Sequence, residues 1–392
     1  MIDKKKKVLN IITLFSVGGA TETVVSMAEG LIQKGYEVHI ATGPNIPTEG
    51  SMYEITERNN IPVFTFQKLK RAINPINDLY IIYQLYIFIK KNNYDIVHTH
   101  SSKAGVVGRI AAWLAGTPVR VHTIHGLPFH GYQSWMLRNL FKAIEKFSAM
   151  ISHKLISVTH TIVDVMVKSN IAPPNKFVVI RSGFDIDKYV NYQFDKTSIR
   201  KKFNLSENDI VIGKISRISI LKGHKYLLSA FDLVSRKIPN AKLVLVGNGE
   251  FETELRSIIS QMNLNDKVVF TGLIPPDDIP SIISMLDILV HTSLHEGLAR
   301  VLPQAIMMGK PVISFDLDGA HEVIKDGING YLIEPENVDL LADRIIDLAG
   351  DLGKAKKFGR NGRELLKDEF SSNKMVEQIH ALYTKLLANT KY

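Results

Sequence analysis

Short apolar runs alternate with amphipathic segments along nearly the whole chain, and this alternation restricts the fold more than any other feature. Apolar runs fall at residues 8–14, 36–42, 61–66, 94–98, 119–125, 154–159 and 177–180, and again at 210–215, 241–246, 268–271, 288–291, 312–315 and 330–333. Short continuous runs of this kind are the signature of strands buried on both faces. Between them, apolar residues recur at helical spacing, as Val24, Val25, Met27, Ala28, Leu31 and Ile32 do within 21–33. Further helices are predicted over 77–91, 102–115, 133–148, 161–168, 224–237, 250–262, 280–285, 340–349, 355–367 and 375–388. Such alternation predicts an α/β fold of parallel sheets with helices on both faces. A chain of 392 residues exceeds one ordinary core, so two domains are expected.

The 48 Lys and Arg outnumber the 39 Asp and Glu, leaving a formal charge of +9. That surplus favours anionic partners: nucleotide phosphates, nucleic acid or an acidic membrane surface. Neither a zinc finger nor aromatic and basic residues clustered on strands are present, so nucleic acid is not expected. The chain has no cysteine, which removes disulfides and thiolate metal sites. Residues 8–14 are too short for the apolar core of a secretory signal. Residues 79–89, interrupted by Gln84 and by tyrosines, are too few to span a bilayer. A cytoplasmic location is expected.

In open parallel sheets, ligands bind where strands end and helices begin. Five such places carry suitable side chains. Ser293-Leu294-His295-Glu296-Gly297-Leu298-Ala299-Arg300-Val301-Leu302-Pro303-Gln304-Ala305 follows the run 288–291. Glu296 and Gln304 can each form two hydrogen bonds to vicinal hydroxyls, which suits a polyhydroxylated ligand. Arg217 and Lys222-Gly223 follow 210–215, and a planar fork and a compact charge there suit two phosphate groups. Gly247-Asn248-Gly249-Glu250 follows 241–246, and Gly272-Leu273-Ile274 follows 268–271. Gly18-Gly19 lies between the first run and the first helix, where backbone N–H groups can approach an anion. That turn lacks Gly-x-Gly-x-x-Gly, which disfavours a nicotinamide dehydrogenase.

Histidines gather in His98-Thr99-His100-Ser101-Ser102-Lys103 and in His122-Thr123-Ile124-His125-Gly126-Leu127-Pro128-Phe129-His130. With no cysteine and no helical His-x3-His pair, no metal is expected there. His98 and His122 are read as core histidines. In 135–147, Arg138, Lys142 and Lys146 are spaced four apart beside apolar bulk. Such a helix can lie on an anionic membrane, or it can pack its apolar side on the domain.

Taken in order, these motifs resemble the retaining glycosyltransferases of family 4, which have the GT-B fold, and the resemblance covers nearly the whole chain. The family's donor motif is Glu-x7-Glu. Here it reads Glu296-x7-Gln304, with an amide replacing the second carboxylate. The resemblance implies two Rossmann-like, doubly wound domains facing across a cleft. Residues 1–185 would form the acceptor domain, 186–374 the donor domain and 375–392 a helix returning to the first domain, with 181–189 as linker.

On this resemblance, a nucleotide sugar is the substrate, with UDP the expected carrier and no cofactor. Arg217 and Lys222 would neutralise its diphosphate, helped by Gly18, Gly19, Gly247 and Gly249. The base would lie at Gly272, Leu273 and Ile274, and the ribose at Gln304. Glu296, with Gly297, Leu298 and Ala299, would hold the sugar. His125 would contact the transferred sugar, and His100, Ser102, Lys103 and His130 would line the acceptor side. The expected reaction is metal-independent and retaining, with front-face attack. It moves a hexose or N-acetylhexosamine to a lipid-linked or glycan acceptor in bacterial surface-polysaccharide synthesis. Lipid-linked acceptors point to the inner face of the plasma membrane. A sugar-nucleotide epimerase of the same fold and a two-domain ligand-binding protein are the alternatives.

Overall fold

The computed structural model describes residues 5–390, apart from Tyr192 and Phe194. The chain divides into two compact units, Met1–Phe184 with Phe370–Tyr392, and Asp185–Glu369.

The first unit is built on seven strands: β1 (Lys7–Ile12), β2 (Glu37–Thr42), β3 (Val63–Thr65), β4 (Ile96–His100), β5 (Val119–Ile124), β6 (Lys154–Ser157) and β7 (Phe177–Val179). They pair in the order β3-β2-β1-β4-β5-β6-β7. Every pairing is parallel. On one face, Val8, Ile12 and Val121 pack with Val24, Ala28 and Leu31 of helix Gly19–Gln33 and with Met375, Ile379 and Tyr383 of helix Ser372–Asn389. On the other face, Leu9, Ile11 and Val97 meet Ile81, Leu85 and Ile89 of helix Pro75–Asn92, and Ala104, Val107 and Ala111 of helix Ser102–Leu114. Two-sided burial is why these strands read as continuous apolar runs.

The chain leaves and rejoins this unit at one point. Phe184 N–H donates to Phe370 O at 2.9 Å, Ser372 N–H donates to Phe184 O at 3.0 Å, and the Phe184 and Phe370 rings stack 6.3 Å apart.

The second unit has six strands: β8 (Ile210–Ile215), β9 (Ala241–Val246), β10 (Val268–Gly272), β11 (Ile288–His291), β12 (Val312–Phe315) and β13 (Gly330–Ile333). Their order is β10-β9-β8-β11-β12-β13, again all parallel. In both sheets the order reverses beside the first strand, at β1/β4 and at β8/β11. Connections leave those strands on opposite faces and open a crevice at their carboxyl ends.

Several boundaries move relative to the sequence reading. The fourth strand runs to His100 rather than stopping at His98, and the fifth ends at Ile124, so His125 begins a loop. Short helices at Tyr53–Arg58, Asp187–Val190, Lys196–Lys202 and Ala320–Val323 had no periodic signal, because one or two turns contain too few positions to display a 3.6-residue repeat. Helix 250–262 starts only at Glu252, since Gly247 and Gly249 hold the preceding loop.

Candidate functional site

Five loops at the carboxyl ends of β8 to β12 form one constellation within the second unit. The loop after β8 turns through Ser216–Ser219, with Ile218 N–H donating to Asn248 O at 2.8 Å and Phe251 N–H to Ile218 O at 3.1 Å. This close seating explains the Gly247-x-Gly249 spacing. A Cβ on Gly247, which has φ +120°, would lie 2.3 Å from Ser216 O, and one on Gly249 would lie 2.2 Å from Ile218 O. Both glycines let two backbones touch, and the half-buried Arg217 sits on the loop they support. Gly272 follows an irregularity in the β9/β10 register, and Leu273 beside it is exposed.

Lys222 ends a short 3-10 turn, and Gly223 then starts helix His224–Lys237. The structure joins Lys222 to Glu296 in a direct ion pair, although the sequence reading had assigned them to different parts of a ligand. The Glu296 carboxylate also accepts from Ser293 Oγ at 3.2 Å and lies 3.5 Å from His291 Nε2. Burial alone would raise its pKa, but the Lys222 charge and the His291 contact outweigh that and hold it well below the ordinary range. Glu296 is therefore a fixed anion at neutral pH. Its backbone N–H donates to Asp318 Oδ2 at 2.7 Å, and Gly319 N–H donates to Gly297 O at 3.0 Å, so the loop after β12 braces the Glu296 loop.

A small cavity beside this brace is lined by His291, Glu296, Gly297, Leu298, Ala299 and Asp318, among others. Gln304 is the fourth residue of helix Val301–Met307, whose seven residues are all buried, and is only 5% exposed.

Four residues of this constellation were not singled out from the sequence. Asp318 had a usable signal, an Asp-Gly turn three residues beyond the end of β12. His291 and Thr292 were hidden because they continue an apolar run. Lys214 is fully buried inside β8, and its side chain makes one hydrogen bond, to Thr292 Oγ1 at 3.1 Å.

In the first unit, β4 and β5 align their histidines. His98 and His122 are core residues, as read. His98 bonds Tyr383 Oη and Thr123 Oγ1, each at 2.7 Å, and its ring lies 4.2 Å from that of His100. Burial drives His98 down to about 3 and His100 and His122 well below the ordinary imidazole value, so all three are neutral. His100 is only 1% exposed: it stands behind His125, bonding it at 3.1 Å through Nδ1 and Asn10 Oδ1 at 3.2 Å through Nε2. Its ring is thus buried and bonded at both nitrogens. Lys103 is engaged by Asp78 and by Ala72 O at 3.0 Å. Ser102 is exposed at the start of its helix, and His130 N–H donates to Gln133 Oε1 at 3.1 Å. Gly19 opens helix Gly19–Gln33, and added Cβ atoms at Gly18 would meet nothing within 4 Å.

Helix Trp135–Met150 is mounted with its polar side inward. Arg109, fully buried in helix Ser102–Leu114, forms two bonds to the Glu145 carboxylate at 3.0 and 3.1 Å. Ser148 and Ala149 are buried beside it. Met136, Leu140, Phe147 and Met150 form a stripe facing out, with Met136 75% exposed and Met150 71%. The reading in which the apolar side packs on the domain is therefore corrected: a buried ion pair claims the inner face. Helix Pro75–Asn92, which like Trp135–Met150 packs on helix Ser102–Leu114, also exposes Ile76, Leu79, Tyr83 and Ile87. Among the described residues no helix is long and apolar enough to cross a membrane, and no three His, Asp or Glu side chains are grouped to hold a metal ion.

Two doubly wound units, the second with a charged constellation at its switch point, define an architecture of paired Rossmann-like domains. Residues 17–188 match the model for Glycosyltransferase Family 4, and 195–365 match that for glycosyl transferases group 1. A UDP-Gal:alpha-D-GlcNAc-diphosphoundecaprenol alpha-1,3-galactosyltransferase of Escherichia coli is 30% identical over 335 residues, covering 84% of this chain and 86% of its own. The capsular polysaccharide biosynthesis glycosyltransferase CapM of Staphylococcus aureus is 25% identical over 391 residues, 99% of each chain. Anabaena HepE, solved in complex with UDP and glucose, has the same fold, with a TM-score of 0.82 at 23% identity over 97% of this chain and 99% of its own. The chain belongs to the family 4 glycosyltransferases, and its fold is GT-B.

Proposed function

We propose that the protein is a retaining, metal-independent transferase that moves a hexose or N-acetylhexosamine from a UDP-sugar to a lipid-linked or glycan acceptor in bacterial surface-polysaccharide synthesis. The observation that carries this reading is the Lys222–Glu296 pair at the β8/β11 switch point, with Arg217 on the adjoining loop. Two cations and a fixed anion suit a ligand with a diphosphate at one end and hydroxyls at the other. The names of the relatives support the substrates: UDP-Gal and a diphosphoundecaprenol acceptor for the E. coli enzyme, and capsule synthesis for CapM.

In this reading, Arg217 and Lys222 neutralise the diphosphate and stabilise its departure. Gly18 and Gly19 present backbone N–H groups to it, and Gly247 and Gly249 hold the Arg217 loop. Gly272, Leu273 and Ile274 receive the base, and Gln304 the ribose. Glu296, with Gly297, Leu298 and Ala299, binds sugar hydroxyls and stabilises the developing oxocarbenium ion. His125 contacts the sugar, while Ser102, Lys103 and His130 serve the acceptor side. The acceptor hydroxyl attacks the anomeric carbon from the face that the nucleoside diphosphate leaves. The bond from that carbon to the phosphate oxygen breaks, and the hydroxyl proton passes to the departing phosphate.

The enzyme acts on the cytoplasmic side of the plasma membrane, where the outward apolar stripe of helix Trp135–Met150, flanked by Lys146, rests on anionic lipid. Met136→Ser combined with Phe147→Ser should abolish co-sedimentation with phosphatidylglycerol vesicles. Undiminished sedimentation removes the membrane role. The reaction is tested with purified protein, a panel of UDP-, GDP- and ADP-sugars, and an undecaprenyl-diphosphate-linked sugar as acceptor, in EDTA. Transfer from a UDP-sugar with the anomeric configuration kept is expected. Inversion, dependence on a divalent cation, or interconversion of the donor without acceptor defeats the reading.

A further inference from the structure

Lys214 is a lysine buried in the middle of a parallel sheet without a carboxylate bonded to it. Its Nζ donates to Thr292 Oγ1 at 3.1 Å, and Thr292 Oγ1 donates in turn to Gly223 O at 2.9 Å. That short chain ties β8 to the Lys222-Gly223 turn and to the start of the Glu296 loop. The contact is tight: Gly223 has φ +66°, and a Cβ there would lie 1.9 Å from Thr292 O. The charged and titratable groups facing Lys214 are Lys222 from the turn, His224 from the helix behind it, and His291 and Glu296 from β11 and its loop. Three are basic and one is acidic, and the single carboxylate is already paired to Lys222. A cation placed there lacks negative charge until an anion arrives.

We propose that Lys214 is a third cation of the diphosphate site, acting from beneath the Lys222-Gly223 turn through Thr292, and that binding of a nucleoside diphosphate is accompanied by uptake of one proton at its Nζ. The inference rests on the diphosphate reading of Arg217 and Lys222. Burial, followed by repulsion from Lys222, lowers Lys214 to about 7, against an attraction from Glu296. Near neutral pH it is therefore divided between amine and ammonium. A diphosphate anion bound at Lys222 favours the ammonium and raises that value, so a proton is taken up on binding at pH values above about 7. His224 and His291, held at about 2 and about 4, stay neutral in this range.

The experiment is titration calorimetry of the full chain with UDP at about pH 8, in buffers of differing ionisation enthalpy. The terminal phosphate of UDP is fully ionised there, since such groups titrate near 6. The measured enthalpy should rise or fall with the buffer, with a slope approaching one proton taken up. K214R, which keeps its charge at every accessible pH, should bind UDP with no buffer dependence. K214M should bind at least tenfold more weakly, also without buffer dependence, and near-UV circular dichroism of both variants should match the parent. Parent binding of UDP without buffer dependence, or uptake persisting in K214M, overturns this inference alone. No binding of UDP, GDP or ADP by the parent overturns the diphosphate reading, and the inference falls with it.

Discussion

Replacing Glu296 by Gln removes the anion to which Lys222 is paired while keeping the side chain's shape. Both partners are about a quarter exposed, at 22% and 27%. Two unit charges 4 Å apart interact by about 4 kcal/mol at an effective dielectric of 20 and about 1 kcal/mol in water. After desolvation, a pair this exposed retains about 1 kcal/mol, the upper end of what surface pairs contribute. A diphosphate that recruits Lys222 must first offset that attraction. The amide leaves a neutral hydrogen bond in its place, so free UDP should bind Glu296→Gln up to about fivefold more tightly than the parent. Turnover should move the other way. A carboxylate that opposes developing positive charge is lost, and such preorganised electrostatic contacts are worth roughly 10²–10³ in kcat. Calorimetry with UDP and steady-state transfer on one preparation measure both. UDP affinity that falls, together with turnover within twofold of the parent, refutes the reasoning, because Glu296 would then be structural support for Lys222.

Three further outcomes follow from particular contacts. Gln304→Glu should stay active with a modest change in UDP affinity and the same sugar preference; a switched sugar would put position 304 against the sugar instead of the ribose. Glu145→Leu leaves the fully buried Arg109 guanidinium without its counter-charge and should cost about 3–5 kcal/mol in urea denaturation, whereas adding Arg109→Met should restore most of it; no recovery in the double variant would show that the pair is not the cause. His98, His100 and His122 are held neutral in the fold, while the unfolded chain protonates them near 6.5, so the unfolded state binds more protons below that pH. The first unit should therefore lose stability as pH falls from about 6.5 towards 4, with no such term above 6.5; protection factors in β4 and β5, corrected for the intrinsic exchange rate, that are equal at pH 7 and pH 5 would contradict this.

Local physics settled much of this protein before any fold was known. A strand buried on both faces must be apolar throughout, so the runs in β8, β9 and β11 announced themselves, and the helices between them followed from periodicity. The loops after those strands were legible because glycine and charge are out of place next to apolar runs. Which loops meet was not legible. Lys222 and Glu296 are 74 residues apart and Arg109 and Glu145 are 36 apart, and only sheet order brings either pair into contact. Lys214 shows the same limit: one cation in an apolar strand reads as an exception, and its burial against Thr292 depends on β11 lying beside β8. Helix Trp135–Met150 shows it most plainly. Its periodicity defines two faces from sequence alone. Which face turns inward was decided by the buried Arg109 waiting on a neighbouring helix, because an uncompensated buried charge costs more than an exposed apolar stripe.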